Sequence, residues 1–194
     1  MDKPAKSSLV DDYLSQFPER KLTSKGMELK IMVGEMLMDR SKEAELAKKA
    51  IKKNIYITLA TASKDAVPWN TPLFFAYDDK YTIYWISSQN CVHSANISEN
   101  ENVAIVIYDS TAQEGKGFGV YMSAKASVVD GAGEIKNALK LIYKRSRRPA
   151  PQASKFMGDA LRKVYKAVPN LIFVNDLKAK SEELRNLRVE VKLK

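Results

Sequence analysis

Between residues 55 and 87 the chain is built from short β-type runs that are apolar on both faces, and this is its strongest constraint. Trp69, Leu73 and Phe75 alternate with Phe74 and Ala76, and Ile83 and Trp85 alternate with Tyr84 and Ile86. A half-solvated strand alternates apolar with polar side chains, so these strands must be covered on both sides. One face can fill a barrel. The other needs a cover, which a partner subunit or the helices nearer the N-terminus could supply.

The order of elements follows from the same kind of reading. Residues 55–62 (IYITLATA), the polar tip 63–65 and residues 68–77 (PWNTPLFFAY) form a hairpin pattern, and 78–80 turns the chain into a strand over 81–87. Three sequential antiparallel strands are expected. Residues 88–100 read as a loop and short helix anchored by Val92, Ala95 and Ile97, followed by strands over 103–108 and 118–130. Five strands with one inserted helix predict a closed or half-closed barrel. Upstream, Leu29, Val33, Met36 and Leu37, then Leu46, Ala47 and Ala50, recur at helical spacing, and Met27, Met32, Met36 and Met38 read as core or interface. Downstream, 132–145 and 152–167 read as two helices separated by KRSRRPAP, whose Pro149 and Pro151 stop the first. Strands over 171–176 and 187–193 complete the chain. The organisation expected is a helical segment 1–53 packing on a barrel domain 54–194 that carries a helical insertion over 132–168.

Composition excludes several classes. Cys91 is the one cysteine and His93 the one histidine, so there is no internal disulfide and no Cys or His metal cluster. A Ser-His-Asp triad would have to use His93. No apolar run approaches the length needed to cross a bilayer and the first residues lack a signal-peptide pattern, so the expected compartment is the cytoplasm. The net charge of +9 collects after residue 131, where 16 Lys and Arg face 6 Asp and Glu. Lys144 to Arg148 with Arg162 and Lys163 could form a nucleic-acid patch, yet no recognition motif accompanies them, and a solvated surface is the better reading.

The run from Ile55 to Asp130 resembles the pyridoxamine-phosphate-oxidase-like family of FMN-binding split barrels. The likeness is carried by Leu59-Ala60-Thr61, by Pro68-Trp69-Asn70-Thr71-Pro72-Leu73-Phe74-Phe75-Ala76-Tyr77-Asp78, by Ile83 to Ser88, by His93-Ser94-Ala95-Asn96-Ile97 and by Gly119-Val120-Tyr121. Val168-Pro169-Asn170 and Arg188-Val189-Glu190-Val191 match its closing strands. The resemblance implies a mainly β fold with flanking helices, an antiparallel split β-barrel, and a homodimer with FMN at the subunit interface. It implies the flavin ring against the backbone of Trp69, Asn70, Thr71 and Pro72. The phosphate would lie near Ser87, Ser88, His93 and Ser94, where hydroxyls and a helix N-terminus suit a dianion. Trp69 and Trp85 themselves read as core rather than as flavin stackers. The sequence departs from the family in lacking a basic residue at Asn70-Thr71-Pro72 and at Gln89 to His93, so Lys116 or Lys125 would have to reach in.

The function implied is that of an FMN-dependent oxidoreductase acting on an unidentified small-molecule substrate or electron donor. No catalytic acid or base stands out, and flavin chemistry often needs none from the protein. The alternative is a non-enzymatic flavin- or haem-binding or sensing protein on the same barrel, with His93 as the candidate axial ligand. A related deazaflavin is also compatible with the sequence.

Overall fold

The computed structural model describes residues 40–177 and 187–193. The chain divides into two units, Met1–Ser41 and Lys42–Lys194. The helices expected around Leu29 to Met38 lie outside the described residues. The second unit is organised in the order α1 (Ser41–Lys53), β1 (Tyr56–Ala62), β2 (Pro68–Phe74), β3 (Ala76–Tyr77), β4 (Ile83–Ser88), α2 (Val92–Glu99), β5 (Asn102–Tyr108), β6 (Gly119–Val128), α3 (Ala132–Arg145), a 3-10 turn (Ala153–Phe156), β7 (Arg162–Asn175) and β8 (Arg188–Glu190).

The described strands join one antiparallel sheet in the order β2-β1-β5-β6-β7-β4-β3, with β8 beside β7. The sheet curls so that β2 and β4 lie near opposite edges of a half-barrel, which is the split-barrel fold expected from the sequence. The run 68–77 is not one strand. At Phe75 the chain leaves β1, with which Phe74 pairs at Tyr56, and joins β4, where Ala76 pairs with Tyr84. The expected three-strand meander is therefore broken at one buried aromatic, and the break creates the split.

Two apolar clusters hold the sheet. The inner one gathers Ile57, Leu59, Trp85, Ile105, Met122 and Tyr165 with Ala44, Ala47 and Ile51 of α1. The outer one packs Ile135, Ala138, Leu139 and Ile142 of α3 against Tyr84 and Val164. The second face of β4 is thus covered by α3, a helix downstream. Burial at roughly 25 cal/mol per Å2 on both faces is what makes these strands apolar throughout.

The largest correction concerns residues 152–167. The helix expected there is a 3-10 turn followed by the start of β7. Leu161, Val164, Tyr165 and Val168 sit at helical spacing, but Val164 packs under α3 while Tyr165 and Ala167 pack inside the barrel. A strand buried on both sides mimics a helix in periodicity. Pro169, which the resemblance puts in a closing strand, does lie in β7, at an irregularity where the register of β6 and β7 shifts between Ser123 and Ala124. Such a position is one of the few that a sheet offers to a residue without an N–H.

Candidate functional site

Across the split, β2 and β4 are joined by side chains rather than by a strand ladder. Trp69 Nε1–H donates to Thr71 Oγ1 at 3.0 Å, Thr71 Oγ1 meets His93 Nδ1 at 3.4 Å, and His93 Nε2 meets Ser87 Oγ at 2.8 Å. Both imidazole nitrogens are engaged in either tautomer. Asn96 of the same helix donates to Thr61 Oγ1 at 3.0 Å, which ties α2 to β1. His93, Ser94 and Asn96 are all buried. So α2 is a polar clasp over the split rather than an apolar plug.

The expected site residues fall into two groups. Trp69, Thr71, Ser87 and His93 form the chain just described. Ser88 stands on the other face of β4, because side chains alternate along a strand and Ile86 lines an outer cavity. Its Oγ accepts the Asn90 N–H at 3.2 Å and its carbonyl accepts Ser94 Oγ–H at 2.8 Å. Asn70 and Pro72 are exposed on β2, on the side of Phe74, which lines the same cavity. The two adjacent serine hydroxyls do not converge on one point.

That outer cavity, about 460 Å3, was not anticipated from sequence. Ile55, Tyr56 and Phe74 form one wall, Ile86 and Ile142 the floor, and Tyr143 with Arg145, Arg147, Arg148 and Arg162 the rim. Arg162 is directly opposite Ser88, and Lys163 opposite Ser87, in the β4–β7 ladder. Neither Lys116 nor Lys125 lines this cavity. Lys116 borders a second hollow beside α1, and the Lys125 ammonium contacts Glu101. The signal available in sequence was the KRSRR run, whose companion walls come from Tyr56 of β1, Phe74 of β2 and Ile86 of β4, far upstream in the chain.

Burial holds the His93 imidazole below its usual pKa of 6.5, because the charged form is poorly solvated there. The folded state keeps the ring neutral while an unfolded chain takes up a proton near pH 6.5. Stability from this residue is therefore complete above that pH, and it declines as pH falls below 6.5 toward the lower folded value. His93→Gln should flatten this part of the stability profile. Urea unfolding of both proteins between pH 7.5 and 5.5 measures it, and equal pH slopes would show that the ring titrates freely in the fold.

Among the described residues no group of three or more His, Cys, Asp or Glu side chains could hold a metal ion. No helix among them is long and apolar enough to cross a membrane.

Comparison with known proteins bears on the fold. No curated protein sequence matches the chain. Among solved structures, HutZ, the haem storage protein from Vibrio cholerae, is 18% identical with a TM-score of 0.57, over 66% of this chain and 90% of its own. A haem-binding protein from Mycobacterium smegmatis is 16% identical with a TM-score of 0.59, over 79% of this chain and 59% of its own. A protein from Listeria innocua provisionally assigned as a pyridoxamine 5'-phosphate oxidase is 16% identical with a TM-score of 0.53, over 68% and 96%. At these identities the likeness is one of fold. The sequence profile of pyridoxamine 5'-phosphate oxidase, however, matches residues 44–173 directly, from α1 through most of β7. With two thirds of its length matched and a split barrel built from that stretch, the chain belongs to the pyridoxamine 5'-phosphate oxidase family.

Proposed function

We propose that the chain binds FMN along the split, on the outer side of β2, and uses it as an oxidoreductase on a small molecule. The observation that carries this reading is the pairing of an open strand edge with the outer cavity. Among the described strands β2 pairs with β1 alone, so its other edge offers backbone groups that no described strand takes up, and Phe74 at its end lines the cavity beside Tyr56. A planar ring with polar edges finds both an apolar face and backbone partners there. When bound, FMN supplies hydride or electron transfer, and the chain orients and shields it.

The state of His93 favours flavin over haem. Haem proteins share this fold, but here the sole histidine is 4% exposed and both its nitrogens are committed to Thr71 and Ser87. Ligation of iron by His93 would require breaking the clasp. The reading includes a second copy of the chain. Leu161 is 59% exposed and its carbonyl accepts the Gln89 N–H just before α2, while Val92 opens that helix and is also exposed. Trp69, linked through Thr71 to His93, adds apolar surface to the same neighbourhood. A twin subunit would cover these residues and the open side of β2. The free Cys91 suits the cytoplasm.

Flavin fluorescence titration tests the reading. FMN should bind more tightly than riboflavin, and Ser88→Ala should weaken FMN about tenfold to a hundredfold by removing one hydrogen bond to a charged group, while sparing riboflavin. A Soret band on adding haem, with no quenching of either flavin, would defeat the proposal.

A further inference from the structure

Of the four arginines at the outer cavity, one is already committed. The Arg145 guanidinium donates to the Ile51 and Asn54 carbonyls at the end of α1 and lies over the Phe75 ring. Arg147, Arg148 and Arg162 make no ion pair among the described residues, and no Asp or Glu lines the cavity. Arg148 is steadied by Tyr143, with its guanidinium carbon 5.5 Å from the ring centroid. Arg147, Arg148 and Arg162 are exposed residues lining one hollow, so their charges, though screened by solvent, add in their attraction for an anion placed there.

Arg147 adds a second observation. Its φ is +56°, in the left-handed region. The Arg147 N–H donates to Lys144 O at 3.2 Å and the Arg148 N–H to Tyr143 O at 3.0 Å. These are the two bonds of a Schellman motif, with Ser146 as the C-cap of α3. The left-handed position of that motif is normally glycine, since any Cβ there is strained. An arginine at this position costs folding stability and places a charge on the cavity rim. Strained backbone of this kind clusters at ligand-binding sites.

We propose that Arg147, Arg148 and Arg162 hold the phosphate of the flavin nucleotide, so that the end of α3 and the start of β7 supply the cations absent from β2 and from residues 89–93. This rests on the flavin reading above and assigns the anionic end of that ligand. Arg162 stands across the β4–β7 ladder from Ser88, so a phosphate at Ser88 is within reach of a guanidinium fork. The apolar wall of Tyr56 and Phe74 is left for the ring.

The test compares FMN with riboflavin on the full chain by fluorescence titration, with inorganic pyrophosphate as competitor. Arg162→Ala and Arg148→Ala should each weaken FMN about tenfold or more, since each removes a charge-assisted contact. Riboflavin should change less than about twofold, because no phosphate contact is lost. Pyrophosphate should displace FMN but not riboflavin. Arg147→Gly separates a ligand role from a structural one: its Tm should rise by about 2–4 °C as the strain is relieved, while its FMN affinity falls. Unchanged FMN affinity in all three variants, or equal losses for riboflavin, would overturn the assignment and leave the flavin reading standing. A parent protein that binds neither flavin would overturn both.

Discussion

Trp85→Ala is expected to remove about 4 kcal/mol of stability, a large share of the roughly 5–15 kcal/mol that holds a domain folded. The indole is fully buried in the middle of β4 and stacks on Tyr165 of β7, with centroids 5.6 Å apart and planes 12° apart. The two residues are also directly paired in the ladder. Truncation leaves a cavity between strands that are already packed from both sides, so collapse is restricted. The indole Nε1 has no hydrogen-bond partner among the described residues, and a buried donor without a partner is a cost of about 1–3 kcal/mol in the parent protein. Trp85→Phe removes that donor along with one ring, and its net loss should stay within about 1.5 kcal/mol. Urea unfolding with unchanged m-values gives both numbers. A loss under about 1 kcal/mol for the alanine variant would mean that the β4–β7 stack does not support the barrel. Because Ser87 and Ser88 end the same strand, the clasp at His93 should loosen with it.

The contrast between the two tryptophans shows what the sequence could disclose. Both read as core, yet Trp85 is fully buried and Trp69 is 47% exposed at the edge of β2. Periodicity reports that a strand has two apolar faces, not which cover each face receives. The hairpin of β1 and β2 was legible because its tip, register and composition agree locally. Strand β7 was not, because its two covers, α3 and the barrel interior, are contributed by distant segments and together erase the alternation. The site was legible in part. The residues at the split were named, but Ser87 and Ser88 face opposite ways, a consequence of strand geometry that a list of polar residues conceals. The arginines were visible as one charged surface. That Tyr56 and Phe74 turn this surface into a cavity depends on the chain changing partners at Phe75.

Loss of Arg145 should have the second largest effect, about 3 kcal/mol for Arg145→Ala, because one guanidinium joins three elements. From the end of α3 its Nη2 donates to the Ile51 carbonyl at 2.8 Å, to the Lys52 carbonyl at 3.3 Å and to Asn54 O. These are the acceptors that the last turn of a helix leaves unsatisfied, and a cation there also opposes the negative end of the α1 dipole. The same group lies 4.7 Å from the Phe75 ring centroid and 5.1 Å from that of Tyr77, directly over the point where the chain crosses from β2 to β3. Arg145→Lys keeps the charge but loses the planar fork and most of the stacking, so it should recover less than about half of the loss. Urea unfolding measures the totals, and amide exchange localises them: protection should fall first in the last turn of α1 and around Ala76. Equal stability of the lysine variant and the parent would reduce Arg145 to a simple charge. Uniform loss of protection across the barrel would show that α1, α3 and the β2–β3 crossing do not depend on this one side chain for their connection.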